Sequence, residues 1–359
     1  MADCRVVCPT MELDPDLVLT RIKCSAFHGS LGADPIGSTG SYDAFLCVEV
    51  PLPWAHDISG NEPFHTLGKK MHAADGRSWR AQGLVPADHG DGRVRVIAFE
   101  QPAPPEDSPE QGWRSPFQRR EWLVDDDRVL DLCRALLGAD PLSIASHDDR
   151  AVDVDPSVVD LLVYTHGTRD TCCGGPGTAM HQELAGRLEI PTGSGGVRLL
   201  RCSHTGGHRF APTALTLSDG YGWAHLTAEL TERLVKRAGT PADFAPHCRG
   251  TSLFDSGPAQ AADRAALVEF GWDWLDATRR AVVVAHERDT RATTVRIDGR
   301  LGSIGSSTPD RVAIEVRVEI DRFIPQPTCG VIEGPEFGVE PVWRTTDVRR
   351  VEPAQDLRG

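Results

Sequence analysis

Two short loops carry the side chains of this chain that are best suited to binding a metal. The first contains the adjacent pair Cys172 and Cys173, and the second contains Cys202, His204 and His208. Each loop directly follows a short apolar run, which is typical of a buried strand. Because thiolates and imidazoles hold zinc ions and iron–sulfur clusters in proteins, the two loops predict a metal or cluster site.

The spacing within the second loop supports this prediction. His204 and His208 are separated by Thr205, Gly206 and Gly207. Paired glycines disfavour a regular helix and let the backbone come close to a bulky group. A lone loop histidine is usually a solvated surface residue, and an adjacent cysteine pair alone says little. A cysteine pair and a histidine pair that lie at the ends of neighbouring strands are hard to explain by packing alone. The combination of the two pairs therefore favours a binding site.

The two loops can meet only if a sheet brings them to one edge. The predicted elements are a strand, a helix, a strand, a hairpin and a helix, at residues 158–164, 178–188, 197–201, 214–226 and 229–237. A helical crossover makes the first two strands parallel neighbours, and the loops that follow them then share one sheet edge. This order of elements is thioredoxin-like α/β.

The N-terminal part of the chain has elements of the same kind, with predicted strands at 41–50, 94–99 and 121–124 and a helix at 127–137. Val94 and Val197 start strands that are 103 residues apart, and Trp122 and Trp223 are 101 residues apart. These nearly equal offsets predict two related α/β units.

We therefore expect an N-terminal thioredoxin-like unit at 1–150, a second unit at 151–245 and a C-terminal helix and β extension at 246–359. The extension has a predicted helix at 258–278 and predicted strands at 281–285, 293–297 and 312–318. Its tail from Asp321 is predicted to be irregular.

The bulk composition excludes several classes of partner. The chain has 359 residues, with 38 basic and 52 acidic side chains and a net charge of −14, and it lacks a basic block that could bind nucleic acid. It has neither an 18-residue apolar stretch nor a secretory signal pattern, so we expect a soluble cytoplasmic protein without a membrane partner. Its 10 cysteines are too sparse for a disulfide scaffold and fit reduced thiols.

Two motifs resemble those of the sucrase/ferredoxin-like proteins, also called thioredoxin-like ferredoxins. They are the His-Gly-x-Arg-Asp-x-Cys-Cys sequence at 166–173 and the Ser-His-x-Gly-Gly-His-x-Phe-Ala sequence at 203–211. Weaker matches support them, at residues 35–39, 48–54, 248–250 and 260–262. The resemblance extends from about residue 24 to about residue 300.

The resemblance implies a 2Fe-2S cluster held by two cysteines and two histidines. Carried over by position, the histidines are His204 and His208, the second cysteine is Cys173, and the first cysteine falls on Tyr164. Family members usually have Cys-Thr-His-Gly there, whereas this chain has Tyr-Thr-His-Gly at 164–167. This matters because a phenol, with an ordinary pKa of about 10, must lose its proton before it can bind iron.

Several ways of completing or replacing the ligand set remain open. Tyr164 could bind as a phenolate, Cys172 or Cys202 could supply the missing sulfur, or the cluster could have been lost and the fold kept as a structural or interaction protein. Zinc is the nearest rival cofactor, because Cys173, Cys202, His204 and His208 form a Cys2His2 set that needs no tyrosine. Histidine ligation of a cluster would make its redox potential depend on pH.

The remaining polar residues of the two loops have supporting roles in this hypothesis. We expect Arg169 and Asp170 to brace the first loop as an ion pair and His166 to donate a hydrogen bond to a ligand, while Gly206 and Gly207 admit the cofactor. An electron carrier that serves an unidentified redox protein is favoured over a catalyst. A hydrolase is disfavoured because the chain has no Gly-x-Ser-x-Gly motif and no recognisable carboxylate pair.

Overall fold

The computed structural model of the chain describes residues 24–68, 71–102, 112–169, 171–188, 196–302, 310–326 and 338–353. Two of the candidate site residues are affected by the gaps. Asp170 and the side chain of Cys172 lie outside the described residues, so the predicted ion pair of Arg169 with Asp170 stays a prediction.

Helices and strands are numbered in chain order. The helices α1 to α8 are Cys24–Ser30, Phe64–Leu67, Val129–Gly138, Pro141–Ala145, Thr171–Ala185, Ala228–Val235, Pro241–Phe244 and Gly257–Phe270. The strands β1 to β14 are Ala44–Glu49, Met71–His72, Ser78–Leu84, Val94–Glu100, Gln118–Val124, Val159–Tyr164, Val197–Cys202, Ala214–Thr216, Tyr221–Trp223, Cys248–Thr251, Thr278–Glu287, Ala292–Leu301, Asp310–Gln326 and Gly338–Arg350. Among the described helices, none combines the length and apolar character needed to cross a membrane.

The strands of the described residues form two sheets, which confirms the predicted α/β class. The larger, mixed sheet has 10 strands in the order β10-β9-β8-β6-β7-β3-β1-β4-β5, with β2 added beside β3. The smaller sheet is antiparallel, in the order β11-β12-β13-β14.

The large sheet consists of two halves with the same topology. In one half β6 is parallel to β7 and antiparallel to β8, which pairs with β9. In the other half β1 is parallel to β3 and antiparallel to β4, which pairs with β5. The hairpin strands β5 and β9 are each followed by a helix, α3 and α6.

The prediction that the strand at Val94 corresponds to the strand at Val197 is wrong. β4 corresponds by topology to the hairpin strand β8, and the counterpart of β7 is β3, which was missed. The sequence of β3, Ser-Trp-Arg-Ala-Gln-Gly-Leu, lacks the continuous apolar run that marks a buried strand. Its Gln82 is fully buried, but it is a polar residue that forms hydrogen bonds there. The Gln82 Nε2 donates to the backbone oxygen of Ser203 at 2.7 Å.

The two halves meet at the ends of β3 and β7. Leu84 and Cys202, the last residues of these strands, are antiparallel partners. The Ser203 backbone N–H donates to the Gly83 oxygen at 2.8 Å, and the Ser203 hydroxyl accepts from the Gly83 N–H at 3.0 Å. The carboxyl ends of β1, β3, β6 and β7 therefore converge where the halves join.

Beyond this junction the two half-sheets pack against each other. Phe45 and Phe99 from one half share a buried cluster with Leu162 and Leu215 from the other. Removing this apolar surface from water stabilises the interface by roughly 25 cal/mol for each Å² buried. Helices cover the outer faces, with α3 packed on the first half and α5 and α6 on the second.

Buried ion pairs also connect the halves. Arg198 on β7 binds the carboxylate of Glu121 on β5 at 2.8 Å. Two carboxylates in this group, those of Glu121 and Asp160, are almost fully buried. Asp160 on β6 accepts from Arg198 at 2.6 Å and also pairs with Arg119 on β5. Each buried carboxylate thus has guanidinium partners, as burial of a charge requires.

The C-terminal tail is not irregular, so that prediction is wrong. β13 continues to Gln326, and β14 pairs with it over residues 338–350. Cross-strand ion pairs stabilise these strands, including Glu319 with Arg344 at 3.0 Å and Glu315 with Arg349 at 2.5 Å. The local sequence of β14 is mostly polar, so only its pairing with β13 makes it a strand.

A buried polar network joins this extension to the second half of the large sheet. Asp263 on α8 accepts from the Trp274 indole N–H at 3.0 Å and binds Arg279 of β11 at 3.1 Å. The hydroxyl of Tyr221 on β9 donates to the same carboxylate. All four side chains are fully buried, so the network ties three elements together without contact with solvent.

Asp263→Ala should strongly destabilise the protein, because it leaves the buried Arg279 charge uncompensated. We expect a loss of about 3–5 kcal/mol in the free energy of unfolding, measured by urea denaturation. Glu183→Ala is the control, since it removes an exposed pair with Arg187 and should cost no more than about 1 kcal/mol. Equal losses in the two variants would contradict the importance of the network.

Candidate functional site

Four side chains that the motifs single out lie where the two half-sheets join. Tyr164 is the last residue of β6, and Cys173 lies in the first turn of α5. His204 and His208 follow β7, with His208 at the start of a 3-10 turn that spans His208–Phe210. The parallel pairing of β6 with β7 brings both loops to one sheet edge, as predicted from the order of elements.

The four side chains lie together, with Tyr164 and Cys173 buried and His204 and His208 half-buried. The Tyr164 and His204 ring centroids are 5.4 Å apart with nearly perpendicular planes, and the His204 and His208 centroids are 5.8 Å apart. The Cys173 thiol donates to the backbone oxygen of His208 at 3.0 Å, and it packs with Tyr164 and Ala211. Residues that are 44 positions apart in sequence, Tyr164 and His208, are thus gathered into one site.

Glycines allow α5 to pack closely against the first loop. A Cβ atom at Gly177 would overlap the backbone oxygen of Tyr164, and one at Gly174 would lie 2.7 Å from the Cα of Gly167. The glycine-rich sequence at 174–177 therefore serves to seat the helix that carries Cys173. The first turn of a helix also favours negatively charged groups near it.

The second loop is held by positive backbone angles and by a buried arginine. Gly206 and Gly207 have φ angles of 78° and 64°, which residues with a Cβ atom seldom adopt. A Cβ atom at Gly207 would overlap the Arg249 guanidinium, which lies against the turn. Close approach to Arg249 is thus the observed reason for the glycine at 207.

The first loop is anchored to the N-terminal half. The His166 Nε2 atom lies 2.8 Å from the backbone oxygen of Ala55, and its ring contacts Trp54 edge-on at 5.1 Å. Arg169 donates to the His56 oxygen at 3.3 Å and pairs with Asp57 at 3.6 Å. Through these contacts, His166 and Arg169 connect the first loop to the N-terminal half of the large sheet.

Positive charge surrounds the histidines. Burial is the main cause that lowers the pKa of His204 to about 2, and the Arg169 and Arg80 guanidiniums lower it further. Arg80 donates to the His204 backbone oxygen at 2.7 Å. The His204 imidazole is therefore neutral at physiological pH, which is the form that binds a metal.

Cys202 is adjacent to this group but packs elsewhere. It is the strand partner of Tyr164, and its side chain lies in the cluster between the half-sheets with Cys47, Leu84 and Leu162. Burial raises the pKa of the Cys202 thiol well above its ordinary value. In this conformation Cys202 is a protonated core residue, which does not favour its predicted use as a ligand.

The donor set fits an iron–sulfur cluster at three of its four positions. Cys173 supplies a thiol and His204 and His208 supply two imidazoles, while Tyr164 lies at the position where the resemblance implies a cysteine. The His208 Nε2 atom is buried without a hydrogen-bond partner, which suits a ligand atom. Among the described residues, no three His, Cys, Asp or Glu side chains are arranged around one point as a single metal ion requires.

Two elements that the motifs do not predict contact the histidine turn. Arg209, next to His208, forms a two-point ion pair with Glu340 of β14. His28 of α1 packs edge-on against Phe210 at 5.5 Å and lies 3.6 Å from Glu340. No sequence signal marked His28 or Glu340, because the packing of α1 and of β14 on the turn creates their proximity to it.

Comparison with known proteins gives one match. The model of the family described as sucrase/ferredoxin-like matches residues 35–250, which is well over half of the chain. The matched range contains both loops and both halves of the large sheet, whereas β11 to β14 lie outside it. No curated protein and no solved structure matches the chain.

Gly177→Ala and Gly175→Ala should have opposite effects although both lie in α5. The first places a methyl group on the Tyr164 backbone and should cost about 1–3 kcal/mol of stability. The second meets no atom within 4 Å and should gain about 0.5–1 kcal/mol from helix propensity. Urea denaturation measures both, and a neutral Gly177→Ala would contradict the close packing.

Acid should destabilise the metal-free protein partly through His28. Burial lowers the pKa of His28 to about 4 from an ordinary value of 6.5. Between these values the unfolded chain binds the proton more readily, so stability falls as the pH drops below 6.5. His28→Gln should reduce the slope of unfolding free energy against pH by up to about 1.4 kcal/mol per unit in this window. An unchanged slope would contradict the burial of a neutral imidazole.

Proposed function

Because this chain belongs to the sucrase/ferredoxin-like family, we propose that Cys173, His204 and His208 hold a 2Fe-2S cluster in a one-electron redox protein. Such a cluster, when bound, accepts and donates single electrons. The observation that carries the proposal is the convergence of the Cys173 and His204/His208 loops on Tyr164, at the four positions that the family motifs assign to ligands.

The histidine pair suits this role. Two imidazoles held close together can bind one iron of a cluster, leaving the other iron to the residues at 164 and 173. A binuclear centre takes its ligands in pairs, so the four donors need not converge on a single point. Because burial lowers the pKa of His204, its imidazole stays neutral and can bind iron without first losing a proton.

The side chain at position 164 decides how firmly the cluster is held. A phenol binds iron only as its anion, and it is a weaker ligand than a thiolate at neutral pH. We therefore infer that the cluster is labile and that the protein senses redox conditions, rather than carrying electrons continuously. The guanidiniums of Arg80 and Arg169 near His204 favour anionic ligands here.

We also infer that both α/β units are thioredoxin-like. Strand orders β7-β6-β8-β9 and β3-β1-β4-β5, with the first two strands of each unit parallel, support this inference. The fold alone does not specify the chemistry, which depends on the loops at the junction. A redox protein partner would supply or receive the electron.

Tyr164→Cys should convert a weakly bound cluster into a stable one. Both proteins are treated anaerobically with ferrous iron and sulfide, and iron, sulfide and the visible spectrum are measured. We expect about two iron and two sulfide per chain in both, with slower loss from the variant because a thiolate is the stronger donor.

Control variants separate ligand loss from unfolding. Cys173→Ala should abolish cluster binding, whereas Cys133→Ala, which changes a buried thiol in α3, should not. Colour in Tyr164→Cys alone would show that the natural chain no longer holds a cluster. Zinc bound by the wild type without iron uptake by either protein would support the zinc alternative and refute the proposal.

A further inference from the structure

Arg249 is a fully buried cation beside the candidate site. It lies on β10, and no part of it is exposed to solvent. Its Nε and Nη2 atoms donate to the Ser38 hydroxyl at 3.2 Å and the Ser38 backbone oxygen at 2.8 Å, while Nη1 has no hydrogen-bond partner. Within the part of the chain that the structure describes, no carboxylate lies within ion-pair distance of Arg249.

The Arg249 guanidinium lies directly under the histidine turn. A Cβ atom at Gly207 would overlap its central carbon, and one at Gly206 would lie 3.7 Å from Nη2. The turn between His204 and His208 therefore passes over a positive charge. Arg80 of β3 donates to the His204 backbone oxygen, so a second guanidinium contacts the same turn.

A buried cation without an anionic partner is unfavourable. Burial and the charges of Arg209 and Arg80 lower the pKa of Arg249 to about 9, so the guanidinium is still charged at neutral pH. Arg279, which is also fully buried, differs because it is paired with Asp263. The Glu340 carboxylate attracts Arg249 from a distance but is ion-paired with Arg209, so a negative charge in the adjacent site would add to the compensation of Arg249.

The possible cofactors differ in the charge that they bring. A divalent ion would need the Cys173 thiolate and the two neutral imidazoles to move around one point, and it would leave a net positive charge there. A 2Fe-2S core contains two sulfides, so with two anionic protein ligands it is neutral when oxidised and negative when reduced. A nearby guanidinium repels the first centre and attracts the reduced form of the second.

We propose that Arg249 is a specificity-determining residue, which selects a sulfide-containing cluster over a bare divalent cation and favours its reduced state. This inference rests on the proposed function of the same site. Arg249 acts through its charge and does not touch the reacting atoms.

The test compares wild type with Arg249→Met and Arg249→Lys, using two probes. The first probe is Co²⁺ alone, whose binding is followed by its visible absorption, and the second is ferrous iron with sulfide. Arg249→Met should bind Co²⁺ roughly 10-fold more tightly, and it should lose the reduced cluster roughly 10-fold to 100-fold faster. The midpoint potential of the cluster should also fall. Arg249→Lys keeps the charge and should stay close to wild type for both probes.

Tighter Co²⁺ binding together with weaker cluster binding would exclude a merely structural role for Arg249, because a misfolded turn would weaken the binding of both probes. Arg264→Met is the matched control, since Arg264 pairs with Asp34 away from the site and should affect neither probe. Changes in the same direction, or none, would overturn the role of Arg249 while leaving the proposed function intact.

Two further outcomes also decide the proposal. If wild type binds Co²⁺ but forms no cluster, the proposed function is wrong, and the effect of Arg249→Met on Co²⁺ affinity still tests the charge. If Arg249→Met does not fold, Arg80→Met replaces it in the test. Arg80→Met should also bind Co²⁺ more tightly and lose the reduced cluster faster, because the half-buried Arg80 guanidinium binds the His204 backbone oxygen. Failure of wild type and of Tyr164→Cys to bind either probe would refute both proposals.

Discussion

The packing of the two half-sheets against each other determines the position of every candidate ligand. Phe45, Phe99, Leu162 and Leu215 fill the space between the halves, and the contact of Leu84 with Cys202 joins them at one edge. Because this contact involves the last residues of β3 and β7, the loops that follow the strands emerge at the junction. The first loop is then braced by Ala55 and Asp57 of the other half.

Close backbone approach is the second constraint. Gly177 lets α5 contact the end of β6, which places the Cys173 thiol near the turn of His208. Gly207 lets that turn lie on Arg249. A side chain at either glycine would push a segment that carries candidate ligands away from the others. The partly desolvated, positively charged surroundings of His204 follow from the same packing, since burial and guanidinium charge both lower its pKa.

The C-terminal extension adds a connection that the matched family range does not include. Its α8 helix and β11 strand are tied to β9 through Asp263, Arg279 and Tyr221. At its other end, Glu340 of β14 holds Arg209 beside His208. The extension therefore contacts the site turn directly and also shares the core of the second half.

The sequence alone determined the α/β class, most strands of the second unit and the two loops that carry the candidate ligand positions. Apolar runs and glycine positions are local signals, and they identified β6, β7 and the His204–His208 spacing without knowledge of the fold. The polar strands β3 and β14 were missed because their stability comes from partners distant in sequence, as with Gln82 and Ser203 or Glu319 and Arg344.

Only the tertiary structure decided which side chains share the site. It placed Tyr164 beside His204, buried Cys202 between the half-sheets, and buried the Arg249 guanidinium under the turn. Such relations depend on burial and on the distances between charges. These quantities are fixed when separate segments pack together, so no local pattern of residues contains them.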